Sequence, residues 1–297
     1  MPMENAGTRR DFLISTGAVA APLAVQAGSE RTSGAQAGML AGKTAVIYGA
    51  SGAMGSAIAR AFAREGAQVH LAARTRDPLD RLARELAQGG ARATPAVVDA
   101  MDLDAVEKHL AEIVRDGAID ISFNLIGIGG DQGRPLTEMT GASFDEPVAN
   151  AMRTHFITAT AAARHMQKCG SGVILALTAQ VARKPYVASG GFGVACAAIE
   201  GLCRQLAVEL GPRGIRVVVL RSAGSPDAPG VSSAIDSHAQ LAGVKREAFE
   251  ARIAEKTMLR RMPKMAEIAN AAVLMASDRA SAVTGAVLNV TCGEIAD

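Results

Sequence analysis

Short runs rich in β-branched and other apolar residues alternate with longer amphipathic segments from residue 43 onward. The runs predict strands, and the segments between them carry apolar residues at the spacing typical of helices. Gly66 and Gly117 stand where the first and third of these helices should end. The predicted strands cover residues 44–48, 68–73, 93–98, 119–126, 172–178, 215–220 and 286–290.

Helices are predicted between consecutive strands, and two of them are long. They cover residues 56–64, 81–88, 104–115, 144–168, 192–210 and 265–277. This alternation predicts a single doubly wound α/β domain with a mostly parallel seven-stranded sheet covered on both faces. Residues 224–263 are polar and lack periodicity, so we expect an irregular lid or substrate loop there.

The first forty residues have a different character. Arg9 and Arg10 precede a weakly apolar run that ends in small residues near Ala27. The run is shorter and more interrupted than the roughly 20 apolar residues that span a bilayer. The order charged, apolar, small is typical of a cleavable export signal, and the paired arginines resemble the twin-arginine type.

This pattern predicts an export signal and linker over residues 1–40 and one folded domain over residues 41–297. The mature protein would then be exported to the periplasm and would have no membrane partner. A cytoplasmic protein with an N-terminal extension is the alternative.

Composition narrows the possible partners. The 297 residues carry a formal net charge of +2 without a dense basic run, which argues against a nucleic-acid partner. Four cysteines and five histidines show no metal-ligand spacing, so we expect no metal site. Only Tyr48 and Tyr186 could serve a mechanism that needs a phenol.

A glycine-rich turn joins the first predicted strand to the first predicted helix. It contains Gly49, Gly52 and Gly55, with Ser51 and Met54 between them. Glycine permits positive φ and lets backbone N–H groups approach a pyrophosphate, whose charge also favours the helix N-terminus. Because the required strand, turn and helix are all present, we expect dinucleotide binding here.

The end of the second predicted strand bears on the choice of dinucleotide. An acidic residue there would accept the ribose 2′-hydroxyl of NAD, but the sequence has Arg74, Thr75 and Arg76. A guanidinium with a nearby hydroxyl suits a 2′-phosphate through charge-assisted hydrogen bonds. We therefore expect NADP rather than NAD, the alternative being that both arginines are simply solvated.

With these features the chain resembles the short-chain dehydrogenase/reductase family from Lys43 to the C-terminus. The further matches, in family order, are Asp99, Asn124 with Gly127, residues 197–202, and Thr284 with Gly285. The resemblance implies a Rossmann-type fold in which Asp99 holds the adenine amino group and Asn124 supports the sheet beside the cofactor. It also implies a homodimer or homotetramer built through the two long helices.

The resemblance does not extend to the catalytic positions. Family members use a tyrosine, a lysine four residues later, a serine thirteen residues before the tyrosine, and often an asparagine on the preceding long helix. Alignment on residues 197–202 puts Phe192 at the tyrosine position, Cys196 at the lysine position and Ala179 at the serine position. Ala151 falls at the asparagine position, so the usual proton relay cannot operate.

Neighbouring residues offer no direct replacement. Thr178 and Asn150 each lie one position away, and one step reverses a strand side chain or rotates a helical one by about 100°. The remaining acid candidates are Tyr186, Lys184, His155, Cys196 and Ser189. Tyr186 is the first alternative proton donor because its loop should border the substrate, although a loop tyrosine that only packs over the site is equally compatible. Cys196 and His155 are better explained as packing residues.

Two functions are compatible with these residues. The first is an NADP(H)-dependent oxidoreductase that acts on a small-molecule carbonyl, alcohol or activated alkene and uses an atypical proton source or water. The second is a catalytically silent protein that holds NADP for sensing or assembly. Export would require the chain to fold around its cofactor first, and we then expect slow cofactor release.

Overall fold

The computed structural model describes residues 37–296. Nearly all of the predicted export segment, including Arg9 and Arg10, lies outside these residues. Leu40, just before the predicted start of the domain, is fully buried, and its N–H donates to the carbonyl oxygen of Glu65 at 2.9 Å. The packed part of the chain therefore includes residues immediately before position 41.

Seven strands form one sheet in the described residues, and every strand pair in it is parallel. The strands are β1 Thr44–Tyr48, β2 Gln68–Ala73, β3 Ala93–Val97, β4 Ile121–Asn124, β5 Gly172–Ala179, β6 Ile215–Ser222 and β7 Ala286–Val290. The spatial order is β3-β2-β1-β4-β5-β6-β7, so the direction of winding reverses between β1 and β4. The predicted doubly wound α/β fold is confirmed.

Eight α-helices connect or flank the strands in the described part of the chain. They are α1 Ala53–Arg64, α2 Arg76–Gln88, α3 Leu103–Ile113, α4 Gly141–Cys169, α5 Gly190–Leu210, α6 Pro229–Leu241, α7 Arg246–Lys256 and α8 Met265–Ala276. The side chains of successive β1 residues pack on opposite faces of the sheet. Ala45 and Ile47 belong to the core under α1 and α8, and Val46 and Tyr48 to the core under α3, α4 and α5.

The prediction of an irregular loop over residues 224–263 is wrong, because this segment contains α6 and α7. Their apolar stripe is nearly absent, since only Ile235 and Ala239 of α6 are buried and no residue of α7 is. Arg246 ties the pair together by donating to Ser232 Oγ at 2.5 Å and to Asp236 Oδ1 at 3.2 Å. Polar contacts thus stabilise these helices where hydrophobic periodicity does not reveal them.

The second helix begins at Arg76, well before the predicted start at residue 81. Pro78 lies in the first turn, where a proline costs no intrahelical hydrogen bond. Arg76 pairs with Asp80 one turn later, at 3.1 Å. The early start makes Thr75 the N-cap residue of α2 and places Arg74 just before it.

One helical segment in the described residues, Gly190–Arg213, is long and apolar enough to cross a membrane by length and composition. It contains α5, which packs against β5, β6 and α4 within the domain. Its apolar character follows from that core position.

Candidate functional site

The turn between β1 and α1 brings the backbone unusually close to its neighbours. Gly49 has φ of 77°, and a Cβ on it would lie 2.6 Å from the carbonyl oxygen of Leu125. A Cβ on Gly55 would clash with the carbonyl of Gly49 and lie 2.9 Å from the Cα of Ala50. Both positions therefore require glycine, and the turn folds tightly against the end of β4.

The N-terminus of α1 is open to an anion. Gly52 is its N-cap, no side chain caps the helix, and the first turn contains no acidic residue. Ser51 and Gly52 are exposed, and Met54 is half-buried. The first N–H groups and the helix dipole are thus available at the carboxyl edge of the sheet, which fits the pyrophosphate of a dinucleotide.

Arg74 and Thr75 follow β2 at the same edge of the sheet and are both exposed. Arg74 has no hydrogen bond or ion pair within residues 37–296, and the Thr75 side chain does not cap α2. Arg76 differs because its guanidinium is engaged by Asp80. Of the two arginines in this segment, Arg74 is the one that can bind a phosphate group without competition.

Asp99 and Asn124 lie beyond β3 and at the end of β4. The Asp99 carboxylate accepts the N–H of Met101 at 2.9 Å, and Asp99 itself is exposed. Asn124 is buried, donates to Thr158 Oγ1 at 3.1 Å and accepts the N–H of Ile126 at 3.0 Å. Asn124 therefore fixes the end of β4 against α4, and the exposed Gly127 follows in the chain.

The four positions expected to carry catalytic groups hold no ionised or hydroxyl side chain. Ala179 ends β5, Phe192 lies in the first turn of α5, and Cys196 follows one turn later. Ala151 is buried on α4. Cys196 is completely buried, and burial raises the pKa of its thiol to about 12, so the thiol is neutral over the physiological range.

Thr178 faces α5 and joins a buried network. Its Oγ1 donates to Glu200 Oε1 at 3.1 Å, and Arg221 donates to both carboxylate oxygens of Glu200 at 2.8 Å. Asn150 is half-buried on α4, where its carbonyl accepts the hydroxyl of Thr154. Thr178 therefore takes part in attaching α5 to the sheet.

Tyr186 lies in the loop between β5 and α5 and is 36% exposed. Its hydroxyl donates to Gln132 Oε1 at 3.2 Å, and its ring meets that of His238 edge-on with centroids 5.1 Å apart. His238 Nε2 lies 3.4 Å from the same Gln132 oxygen. Burial raises the pKa of Tyr186 to about 12, and the Cys196 and Glu294 groups add to the increase.

Two of the other acid candidates, Lys184 and His155, have hydrogen-bond partners of their own. Lys184 donates to the main-chain oxygen of Glu294 at 3.3 Å, and Ser189 immediately precedes α5. His155 is buried on α4 with Nδ1 2.9 Å from the carbonyl oxygen of Ala151, and burial lowers its pKa to about 4. His155 is therefore a neutral residue inside the helix packing.

Sequence reasoning missed Gln132, His238 and Glu294. Gln132 follows two glycines in the loop after β4, His238 lies in the segment expected to be irregular, and Glu294 is near the C-terminus. None belongs to a local motif. Only the tertiary fold brings them to Tyr186.

Comparisons with known proteins show which family and which relatives the chain is similar to. A family profile described as enoyl-(acyl carrier protein) reductase matches residues 49–294. Gluconate 5-dehydrogenase of Gluconobacter oxydans (strain 621H) is 31% identical over 261 residues, which cover 86% of the chain and 95% of that relative.

Two solved structures extend the comparison to cofactors. A 7 alpha-hydroxysteroid dehydrogenase complexed with NADH and 7-oxo glycochenodeoxycholic acid has a TM-score of 0.76 at 27% identity and covers 87% of the chain and 96% of its own. A gluconate 5-dehydrogenase from Burkholderia cenocepacia J2315 in complex with NADP and tartrate has a TM-score of 0.77 at 25% identity, covering 86% and 96%. These two similar structures thus comprise one NADH complex and one NADP complex.

Proposed function

Because the chain belongs to the short-chain dehydrogenase/reductase family, we propose that it is an NADP(H)-dependent oxidoreductase acting on a carbonyl, an alcohol or an activated alkene. The observation that carries the proposal is the open N-terminus of α1 behind a turn that excludes side chains at Gly49 and Gly55. The dehydrogenases to which the chain is similar add support.

Each group at the carboxyl edge would bind a different part of NADP. The turn from Gly49 to Gly55, which includes Ser51, Gly52 and Met54, would hold the pyrophosphate through backbone N–H groups. Arg74 and Thr75 would bind the 2′-phosphate. The Asp99 carboxylate would accept a hydrogen bond from the adenine amino group. Asn124 and Gly127 would support the nicotinamide end, where NADPH supplies a hydride when bound.

We infer that the chain is a divergent family member in which Tyr186 supplies the proton. With a pKa of about 12 its hydroxyl remains protonated at neutral pH, and it would act as an acid once a substrate oxygen replaces Gln132 Oε1 as the acceptor of its proton. Gln132 and His238 hold the hydroxyl and the ring in place. A substrate that develops little negative charge on oxygen needs only this weak acid.

Replacing the Tyr186 hydroxyl tests the proposal. In Tyr186→Phe we expect NADPH oxidation with a panel of carbonyls and enones to fall about 10²–10⁴-fold, the usual contribution of a positioned acid. Binding of NADP should be unchanged. Tyr48→Phe is the matched control, because the chain has only these two tyrosines and the Tyr48 hydroxyl is buried without a partner in the described residues.

A catalytically silent NADP-binding protein is the second candidate. It is favoured by the absence of polar catalytic groups at positions 151, 179, 192 and 196 together. Under this hypothesis the wild-type protein would bind NADPH but oxidise it with no member of the panel. Turnover that depends on Tyr186 would exclude it.

The assembly we propose is a homodimer or homotetramer built through α4 and α5. Phe156, Val194 and Val208 lie on these neighbouring helices and are 56%, 44% and 73% exposed in the single chain. Exposed apolar side chains on adjacent helices favour an interface. A monomer found by sedimentation at micromolar concentration would contradict the assembly.

We also propose export by a twin-arginine-type signal that lies within the export signal and linker predicted over residues 1–40 and ends before the packed residues that include Leu40, with the cytoplasm as the alternative location. The support is the sequence order around Arg9 and Arg10 alone. The mature protein would carry its cofactor through export and release it slowly. Unprocessed protein found in the cytoplasm of the native cell would argue against this location.

A further inference from the structure

Three segments meet beside the loop that carries Tyr186. The loop after β4 is joined to the loop after β5 by the N–H of Gly133, which donates to the carbonyl oxygen of Ala188 at 2.9 Å. Gly133 also packs on α6, because a Cβ on it would lie 3.4 Å from the Cβ of Ser237. The three segments follow the parallel strands β4, β5 and β6, so they begin at the edge of the sheet that also carries the cofactor turn.

The contacts among these segments centre on one oxygen atom, Oε1 of Gln132. The Tyr186 hydroxyl donates to this atom at 3.2 Å, and His238 Nε2 lies 3.4 Å from it. The oxygen belongs to an amide carbonyl group, so two side chains of the site converge on a C=O group of the protein itself. Two donors aimed at one carbonyl oxygen form the arrangement that stabilises negative charge on oxygen in a transition state.

His238 is held by two aromatic rings. Its ring meets the Tyr186 ring edge-on and stacks on Phe249 of α7 with an interplanar angle of 8°. Burial lowers the pKa of His238 from its ordinary value of 6.5, so the imidazole is neutral at pH 7 and carries one N–H. The 3.4 Å contact is longer than the usual value of about 2.9–3.0 Å, as contacts of catalytic groups often are before the substrate binds.

A ligand can reach the position of this oxygen. Gln132 and His238 are half-buried, and Tyr186 is 36% exposed. The Gln132 side chain fills the position, but its Nε2 group makes no hydrogen bond within residues 37–296. Rotation of this side chain would therefore break only the contacts at Oε1 and leave both donors free for the carbonyl oxygen of a ligand.

We propose, on the basis of the oxidoreductase function proposed above, that His238 is a second catalytic residue, which donates a hydrogen bond from Nε2 to the substrate carbonyl oxygen beside the Tyr186 hydroxyl. The substrate oxygen takes the place of Gln132 Oε1. As the carbonyl carbon gains the hydride of NADPH, the oxygen gains negative charge and takes the Tyr186 proton, while His238 keeps its own. Solvent then returns a proton to the partly exposed Tyr186.

Binding of an amide tests this site without turnover. Butyramide serves as the probe because it carries the same carbonyl group as the Gln132 side chain, and it is titrated calorimetrically with and without NADPH. In Gln132→Ala the internal competitor is removed, so butyramide affinity should rise at least about threefold. Gln240→Ala, at an exposed position on α6, is the matched control and should leave the affinity unchanged.

The two donors are then removed separately in the Gln132→Ala background. His238→Phe keeps a ring for stacking, and Tyr186→Phe keeps the edge contact. Each change should lower butyramide affinity about 2–10-fold, the range for one neutral hydrogen bond. His238→Gln retains an N–H donor and should restore part of the affinity. His165→Phe, at a half-buried position on α4, is the matched control for the histidine.

Infrared spectra of butyramide labelled with ¹³C at the carbonyl separate direct contact from packing. Each hydrogen bond to the oxygen lowers the C=O stretching frequency. The band of the bound probe should therefore move to higher frequency in His238→Phe and in Tyr186→Phe, and furthest in the double variant. A band that His238→Phe does not move, or a Gln132→Ala protein that binds butyramide no better than Gln240→Ala, overturns the proposal.

Turnover distinguishes this inference from the proposed function. In His238→Phe we expect kcat for NADPH oxidation with a carbonyl substrate to fall about 10²–10³-fold with little change in KM, the effect of losing one donor to a developing oxyanion. Amide binding that depends on both donors in a protein that oxidises no NADPH would support the two-donor site and contradict the activity. Oxidation that depends on Tyr186 but is indifferent to His238→Phe would support the activity and contradict the role of His238.

Discussion

Arg74 and Arg76 are two guanidinium groups, close in the chain, that the fold places in different situations. Arg76 begins α2 and is held by Asp80, whereas Arg74 precedes the helix and is exposed without a partner in the described residues. A phosphate that bound Arg76 would have to compete with an existing carboxylate. Charge-assisted binding of the 2′-phosphate therefore depends on Arg74.

We expect Arg74→Ala to weaken NADP binding about 10–100-fold and to leave NAD binding unchanged, because only NADP carries the 2′-phosphate. Equilibrium titration of both nucleotides measures the effect. Arg76→Ala is the matched control and should change NADP affinity less than about threefold. A wild-type protein that prefers NAD would contradict the assignment.

Helix α5 is joined to the sheet by a buried polar network in addition to its apolar face. Glu200 of α5 meets Arg221 of β6 and Thr178 of β5, and both charged residues are 4% exposed. Such a pair contributes little net stability when complete, but removal of one partner leaves a buried charge. The network also fixes the end of β5 at Ala179, after which the loop that carries Tyr186 begins.

Glu200→Leu should lower the free energy of unfolding by about 3–5 kcal/mol. The double variant Glu200→Leu with Arg221→Met should regain most of that loss, because neither charge remains buried. Urea unfolding followed by circular dichroism measures both. Glu209→Leu, at an exposed position on the same helix, should cost less than about 1 kcal/mol, and an equal loss there would refute the explanation.

The elements that could be predicted from the sequence are those with a continuous apolar signal. The strands are short apolar runs separated by glycine or polar residues, and all seven were found. Helices α6 and α7 were missed because their stability comes from Arg246 and from the stacking of His238 on Phe249, with ring centroids 6.4 Å apart. Contacts between distant residues leave no periodic pattern.

The candidate site also has one part that the local sequence predicts and one part that it does not. The cofactor turn is local, because Gly49 to Gly55 follow one another in the chain and need only the adjoining strand and helix. The group around Tyr186 combines Gln132, His238 and Glu294, which lie in separate segments. This group forms only when the folded chain brings those segments to the loop that carries Tyr186. The spacing of the residues along the chain gives no sign of that contact.

At the scale of the whole molecule, buried neutral histidines link folding to pH. His109 and His155 are 6% and 4% exposed, and burial lowers the pKa of each from 6.5 to about 4. The neighbouring His70 lowers the pKa of His109 further, and Glu112 acts in the opposite direction. Below pH 6.5 the unfolded chain binds protons that the folded chain cannot, so stability is lost progressively as the pH falls toward 4.

We expect each of these two histidines to lower the free energy of unfolding by about 2 kcal/mol at about pH 5 relative to about pH 7.5. Urea midpoints at the two pH values measure the total. His155→Leu should remove roughly half of this histidine contribution, because His109 still titrates in the unfolded chain. A wild-type protein equally stable at both pH values would be inconsistent with two buried neutral imidazoles.

The place of β1 in the sheet has a consequence for biosynthesis. This strand lies between β2, which follows it closely in the chain, and β4, whose pairing with β1 runs from Ile121 to Asn124. A nascent polypeptide that has emerged from the ribosome only as far as β3 can pair one edge of β1. Until the fourth strand is translated, β1, an interior strand of the finished sheet, is an open edge on which other growing chains could mispair.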